Sequence, residues 1–211
     1  MSLTNILAQI FLHTDEQILN LFQNYGSLTY LILFMIIFIE TGVVVMPFLP
    51  GDSLLFVAGT IAGAGSLNIF LLFFLLSLAA ILGDSVNYSI GKLIGPKIFK
   101  RESGLFFNKK HLKKTQKFYD KHGTKTIILA RFVPFVRTFA PFVAGIGKMN
   151  YKKFLLYNCV GGIIWAGLFT IGGYFFGNIP IIKENLTIAI LFIIFLSILP
   201  GIIEFVKLRK V

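Results

Sequence analysis

The sequence predicts an all-α integral membrane protein in which four spanning helices and two re-entrant hairpins form an inverted repeat, with interfacial amphipathic helices beside it. Hydrophobic residues make up 56% of the 211 residues and charged residues only 14%, with a mean hydropathy of +0.82. That is too little charge to cover a water-soluble domain of this size. Moreover, uncharged runs approach or exceed the roughly 20 residues that a helix needs to cross a bilayer. These runs are 53–83, 154–182 and 185–203.

The first half of this single membrane domain (1–211) is expected to occupy residues 28–95. Before it, residues 1–27 contain no Lys or Arg, and their apolar residues recur at helical spacing, which indicates a helix in the membrane interface. We expect spanning helices over 28–46 and 68–91. The prolines of Pro47-Phe-Leu-Pro50-Gly51-Asp52 favour a re-entrant hairpin between them, over 47–65.

The positive charge is concentrated after the first half. Lys and Arg total 20 against 9 Asp and Glu, and none precedes Lys92. The positive-inside rule places the basic segment 96–125, with its amphipathic stretch 109–121, in the cytoplasm together with both chain termini. Beside membrane helices such a segment is expected to meet anionic lipid headgroups and not nucleic acid.

The second half is expected over residues 126–177. If 126–147 crossed the membrane, Lys148, Lys152 and Lys153 would lie outside, and two arginines and two prolines would face lipid. Both outcomes are costly. A re-entrant hairpin over 126–147 that turns near its prolines avoids them, and spanning helices then follow over 154–177 and 185–204.

An internal repeat supports two oppositely oriented halves. Ala62-Gly-Ala-Gly-Ser-Leu-Asn aligns with Ala144-Gly-Ile-Gly-Lys-Met-Asn at an offset of 82 residues. The same offset pairs Ala58 with Ala140, Gly91 with Gly173 and Gly95 with Gly177. Inverted repeats whose broken segments meet near the midplane are a common architecture of transporters.

Four ionisable residues at the hairpins are the main functional candidates: Glu40 and Asp52 around the first, Arg131 and Arg137 in the second. Charge at membrane depth is costly, which makes each a functional hypothesis. The arginines can fork two hydrogen bonds to the phosphate of a lipid headgroup, and desolvated carboxyl groups can exchange protons. The alternative is two structural salt bridges that hold the hairpins together.

A second polar group lies on the helix 68–91. Asp84, Asn87 and Tyr88 share one helical face, and Asp84 either binds substrate or ties helices together. Trp165 and Cys159 are expected to serve packing. The three histidines fall outside the predicted spans and no nucleophile is paired with a base, so we expect no catalysis, no metal and no cofactor.

A set of motifs resembles the DedA family of bacterial membrane proteins, which is related to the eukaryotic VTT-domain proteins. The resemblance covers nearly the whole chain. The motifs are Glu40-Thr-Gly, Pro47-Phe-Leu-Pro-Gly-Asp-Ser, Gly83-Asp with Tyr88 and Gly91, Arg131-Phe-Val-Pro-Phe-Val-Arg-Thr-Phe-Ala-Pro-Phe, Ala144-Gly-Ile-Gly, Asn158 and Trp165.

The resemblance implies a lipid transporter of the bacterial cytoplasmic membrane that moves undecaprenyl phosphate, driven by the proton motive force. It also implies that Glu40, Asp52, Arg131 and Arg137 are the functional residues. We expect the two acids to couple protons and the two arginines to bind the phosphate. Phosphatidylethanolamine transport, a proton-coupled cation antiporter and a scaffold for envelope proteins stay open as alternatives. A homo-oligomer is also possible, because the sequence does not determine the oligomeric state.

Overall fold

A computed structural model describes residues 26–43, 51–98, 126–132, 134–180 and 182. These residues form helices, with no β-strand among them. In chain order the helices are α1 (Leu28–Gly42), α2 (Gly51–Gly63), α3 (Ile69–Ile98), α4 (Thr126–Ala130), α5 (Pro134–Ile146) and α6 (Tyr151–Phe176). The all-α prediction is confirmed for this part of the chain. All of the predicted span 185–204 and parts of the predicted segments 1–27, 28–46, 47–65 and 96–125 lie outside the described residues.

Two helices are long and apolar enough to cross a bilayer. They are the stretch Ile69–Ile94 of α3 and the whole of α6, Tyr151–Phe176, with 26 residues each. At a rise of 1.5 Å per residue each extends for about 39 Å, more than the roughly 30 Å of a hydrocarbon core. By length and composition, these helices match the predicted spans 68–91 and 154–177.

The bounds of both long helices differ from the prediction. α3 continues through Gly91 and Gly95 to Ile98, so neither glycine ends it. α6 begins three residues earlier than predicted because Asn150 caps it: the Oδ1 atom accepts hydrogen bonds from the backbone N–H groups of Lys152 and Lys153. The first helical turn of α6 therefore contains two of the lysines that the sequence assigned to the cytoplasmic side.

The segment 126–147 is interrupted. α4 ends at Ala130, Arg131 and Phe132 form a turn, and α5 begins at Pro134. A proline favours the first position of a helix and disfavours helical backbone before it, which explains the new start. Pro141 lies inside α5. The chain therefore breaks its helix at Pro134 and not at Pro141, and the re-entrant course of 126–147 stays a prediction.

Each of the two 13-residue helices packs against the long helix of the other half. α2 packs against α6, and α5 packs against α3. In the first pair a Cβ on Gly173 would collide with the carbonyl oxygen of Phe56, and in the second a Cβ on Gly91 would collide with that of Phe142. These equivalent residues lie 82 residues apart in the long helices but 86 apart in the short ones. A single offset of 82 therefore misplaces the short helices by about one helical turn.

The outer faces of the bundle are apolar. Large hydrophobic side chains of α3 and α6 are exposed there, with Phe70 80% and Phe175 66% accessible. The interior is filled by side chains such as Leu33, Leu55 and Trp165. Apolar faces on both sides of a helix are typical of helices that lie between protein and lipid.

Candidate functional site

Five charged side chains are withdrawn from the surface of the described part of the chain. They are the four residues singled out at the hairpins and Asp84, with side-chain exposures between 1% and 13%. The described lysines 92, 148, 152 and 153 are exposed. The buried set contains three carboxyl groups and two guanidinium groups. Because an unpaired buried charge is strongly destabilising, the contacts within this set decide what it can do.

Arg137 binds two carboxylates that come from different helices. Its Nη2 atom donates to Oε1 of Glu40, at the end of α1, and its Nη1 atom donates to Oδ1 of Asp52, in the first turn of α2, over 2.6 Å. The arginine itself lies on α5. The two acids that the sequence associated with the first hairpin thus meet one arginine of the second.

Glu40 also contacts the first residue of α2. The backbone N–H of Gly51 donates to Oε1 of Glu40 over 3.2 Å, and free N–H groups at a helix start favour an anion. A Cβ on Gly51 would collide with the carboxyl group, so only glycine allows this approach. The other oxygen, Oε2, is buried and has no hydrogen-bond partner among the described residues.

Arg131 is held by a different set of residues. Its Nη2 atom donates to Oδ2 of Asp84 on α3 and to Oδ1 of Asn158 on α6. The amide of Asn158 is fixed in turn, because its Nδ2 atom donates to the carbonyl oxygen of Ile81 over 3.0 Å. Asp84, for which the sequence left a binding or a structural role open, is the carboxylate partner of this arginine.

Trp165 lies between the two arginines. Its ring centroid is 5.8 Å from Cζ of Arg131 and 5.1 Å from Cζ of Arg137, within the range of cation–π attraction. Its Nε1 atom donates to Oδ1 of Asp52 over 2.8 Å. The expectation that Trp165 serves packing alone is therefore incomplete.

Asn87 and Tyr88 have separate roles. The Nδ2 atom of Asn87 donates to the carbonyl oxygens of Thr41, over 3.1 Å, and Thr138, over 2.8 Å. Thr41 and Thr138 follow Glu40 and Arg137 in the chain, so Asn87 holds together the two backbone segments that carry this ion pair. Tyr88 instead donates to the carbonyl oxygen of Met149 and stacks on Phe154. It supports the connection between α5 and α6, away from the charged cluster.

A small cavity adjoins the cluster. Its lining comprises both arginines, Asp84, Trp165, Thr41 and Thr138. It has room for about one water molecule, so the cluster as it stands is closed around its own ion pairs. Asp84 is the carboxylate that borders this space.

Sequence reasoning named Asn158 and Trp165 without assigning them to the site. One signal for Asn158 is that a buried amide in the uncharged run 154–182 needs hydrogen-bond partners. For Trp165, the corresponding signal is an indole N–H that needs an acceptor. Which acceptors they find depends on helix packing, which the sequence does not specify.

Apolar outer faces around a buried, paired charge cluster define a helical membrane protein with a polar site inside the bundle. The VTT domain family matches residues 49–175. Protein DedA of Escherichia coli K12 is 52% identical over the whole chain and 97% of its own length. An uncharacterized membrane protein of Mycobacterium leprae is 47% identical over 80% of the chain and 75% of its own. The inner membrane protein YqjA of Escherichia coli K12 is 30% identical over 85% and 80%, respectively.

The chain belongs to the DedA family of VTT-domain membrane proteins. No solved structure matches it significantly. The matched range 49–175 contains four of the five buried charges and leaves out Glu40, whereas the full-length similarity to the Escherichia coli protein spans all five.

Proposed function

We propose that the protein is a lipid transporter of the bacterial cytoplasmic membrane that carries a phosphate-bearing headgroup, with undecaprenyl phosphate as the substrate and the proton motive force as the energy source. The observation that carries the proposal is the pair of guanidinium groups held by carboxylates beside one cavity in an apolar bundle. Phosphate accepts the same forked hydrogen bonds as carboxylate. In this proposal no residue has a catalytic role.

Transport follows as an exchange of partners. The headgroup phosphate replaces carboxylates at Arg131 and Arg137, and the lipid tails stay in hydrocarbon. A proton that enters on Glu40 or Asp52 weakens the hold of that acid on Arg137 and frees the guanidinium for phosphate. One charge moved through 100 mV changes the free energy by about 2.3 kcal/mol, enough to set the direction of movement.

The proposed topology gives the cluster access from both leaflets. In this topology four segments span the membrane: α1 with residues 43–46, α3, α6 and residues 185–204. Two hairpins, 47–65 and 126–147, are re-entrant from opposite sides. Both termini lie in the cytoplasm. α2 and α5 have 13 residues each and extend for about 20 Å, too short to span. Their reciprocal packing against α6 and α3 supports a two-fold arrangement of the halves.

The excess of carboxyl groups over guanidinium groups favours a second candidate function. Three carboxyl groups face two guanidinium groups, and Oε2 of Glu40 lacks a partner in the described structure. An additional cation would balance this charge. It could be the ammonium group of phosphatidylethanolamine, whose phosphate then lies at the arginines, or a free cation in a proton-coupled antiporter.

Reconstitution of the purified protein into phosphatidylcholine vesicles tests the proposal. Movement of undecaprenyl phosphate, phosphatidylethanolamine and potassium or sodium ions is measured with and without an imposed pH gradient. We expect gradient-dependent movement of undecaprenyl phosphate that is lost in Arg131→Ala and retained in Lys92→Ala, which removes an exposed positive charge from α3. Ion flux without lipid movement would contradict lipid transport.

A further inference from the structure

We infer that Asp84 is the internal competitor of the substrate phosphate at Arg131, so that phosphate binds there together with a proton taken up by Asp84. This inference rests on the proposed function and adds a third acid to the transport cycle, separate from the pair at Arg137.

The contacts of Arg131 carry the first step. Asp84 and Asn158 both accept from the same Nη2 atom, and Asp84 is the one ionisable acceptor of the two. Side-chain exposures of 4% for Arg131 and 7% for Asp84 show that both groups lie away from bulk solvent. A phosphate that binds the Nη2 atom of Arg131 therefore competes with the carboxylate of Asp84.

The position of Asp84 carries the second step. Of the described carboxylates, Asp84 is the one that lines the cavity, together with both arginines and Trp165. Glu40 approaches Arg137 at the start of α2, beside Gly51. An anion that enters the cavity thus meets Asp84 as its nearest like charge.

Charge balance carries the third step. Asp84 and Arg131 form a balanced pair, and the further charge that acts on both is Arg137 on α5. Arg137 in turn binds Glu40 on α1 and Asp52 on α2. α6 contributes the neutral Asn158 and the thiol of Cys159, the other titratable group near Arg131. Because Arg137 already binds two carboxylates, a displaced Asp84 carboxylate loses its own ion pair, and a buried unpaired charge is strongly destabilising. Protonation of Asp84 removes that charge.

The test uses three variants of the full-length protein in phosphatidylcholine vesicles, with undecaprenyl phosphate as the probe. Asp84→Asn mimics the protonated acid. Asn158→Asp places a second carboxylate against the same Nη2 atom. The double variant D84N/N158D moves the single carboxylate to the other side of Arg131. The readout is the KM for the lipid as a function of pH, with thermal unfolding as a check on folding.

We expect D84N to bind the lipid more tightly at neutral pH and to reduce the slope of log KM against pH by about one, the value for one linked proton. N158D binds more weakly at neutral pH and recovers at lower pH, and the double variant regains the slope of the unmodified protein.

An unchanged slope in folded D84N would overturn the inference while lipid transport stands. If D84N does not fold, N158D decides alone: an unshifted pH profile contradicts the competition. An unmodified protein that neither binds nor moves the lipid would end the proposed function, and the inference with it.

Discussion

Arg137 and Arg131 lie in one buried cluster but are held in different ways. Arg137 has two carboxylate partners, Glu40 and Asp52, on two helices of the first half. Arg131 has one carboxylate, Asp84, and one neutral amide, Asn158. The first site therefore contains more acid than base, whereas the second is balanced.

This difference assigns different tasks to the two arginines in the proposed cycle. At the Arg137 site one acid can take a proton and release its nitrogen of the guanidinium to the phosphate while the other acid stays bound, as suits a site that couples transport to protons. The Arg131 site can exchange its single carboxylate for a phosphate with no change in the number of ion pairs. Trp165 contacts both guanidinium groups, so a shift at one arginine affects the packing of the other.

Substitution of either arginine is expected to have the largest effect on lipid movement and stability. Arg137→Ala orphans two acids, and we expect lipid movement to stop and the unfolding free energy to fall by about 3–5 kcal/mol. Arg131→Ala also stops movement but orphans only Asp84, so the loss of stability is smaller. Thermal unfolding in detergent and vesicle assays measure both, with Lys92→Ala as the control. A larger stability loss in Arg131→Ala would contradict the assignment of partners.

Replacement of a whole pair separates stability from function. The double variant R131M/D84L removes both charges together and keeps an apolar interior. Exchange of a buried ion pair for apolar residues is often neutral or stabilising, so we expect stability within about 2 kcal/mol of the unmodified protein and no lipid movement. Retained movement would show that the Arg131 pair is structural.

Gly51→Ala tests the close contact between the start of α2 and Glu40 at the Arg137 site. The added methyl group collides with the Glu40 carboxyl group, and we expect a stability loss of about 1–3 kcal/mol from overpacking together with slower lipid movement. Gly172→Ala is the matched control, since a Cβ there meets nothing within 4 Å. Equal behaviour of the two variants would mean that Glu40 and the start of α2 are not in close contact.

Trp165→Phe produces the smallest effect. The ring remains beside the guanidinium groups, but the hydrogen bond from Nε1 to Asp52 is lost. Asp52 keeps Arg137, so the cost is about 1 kcal/mol. Trp165→Leu removes the ring as well and is expected to cost more through the lost cation–π contacts. If both variants unfold at the same temperature, the ring makes no electrostatic contribution.

The sequence predicts the helical class and the charged residues because both follow from local patterns. Uncharged runs identify α3 and α6, and ionisable residues near the prolines identify Glu40, Asp52, Arg131 and Arg137. The pairing could not be predicted, because it depends on how helices far apart in the chain pack.

Glu40 and Arg137 are 97 residues apart, and Asp84 and Arg131 are 47 apart. The end of α3 could not be predicted for a related reason. The sequence predicts that this helix ends at Gly91, but Gly91 packs closely against α5 within a helix that continues.

Infrared difference spectroscopy of the purified protein, with and without undecaprenyl phosphate, tests the exchange of carboxylate for phosphate most directly. The account predicts that lipid binding produces a C=O band of a newly protonated carboxyl group, and that Asp84→Asn removes its contribution to this band. Lipid that binds while all three carboxylates keep the spectrum of the lipid-free protein would contradict the account.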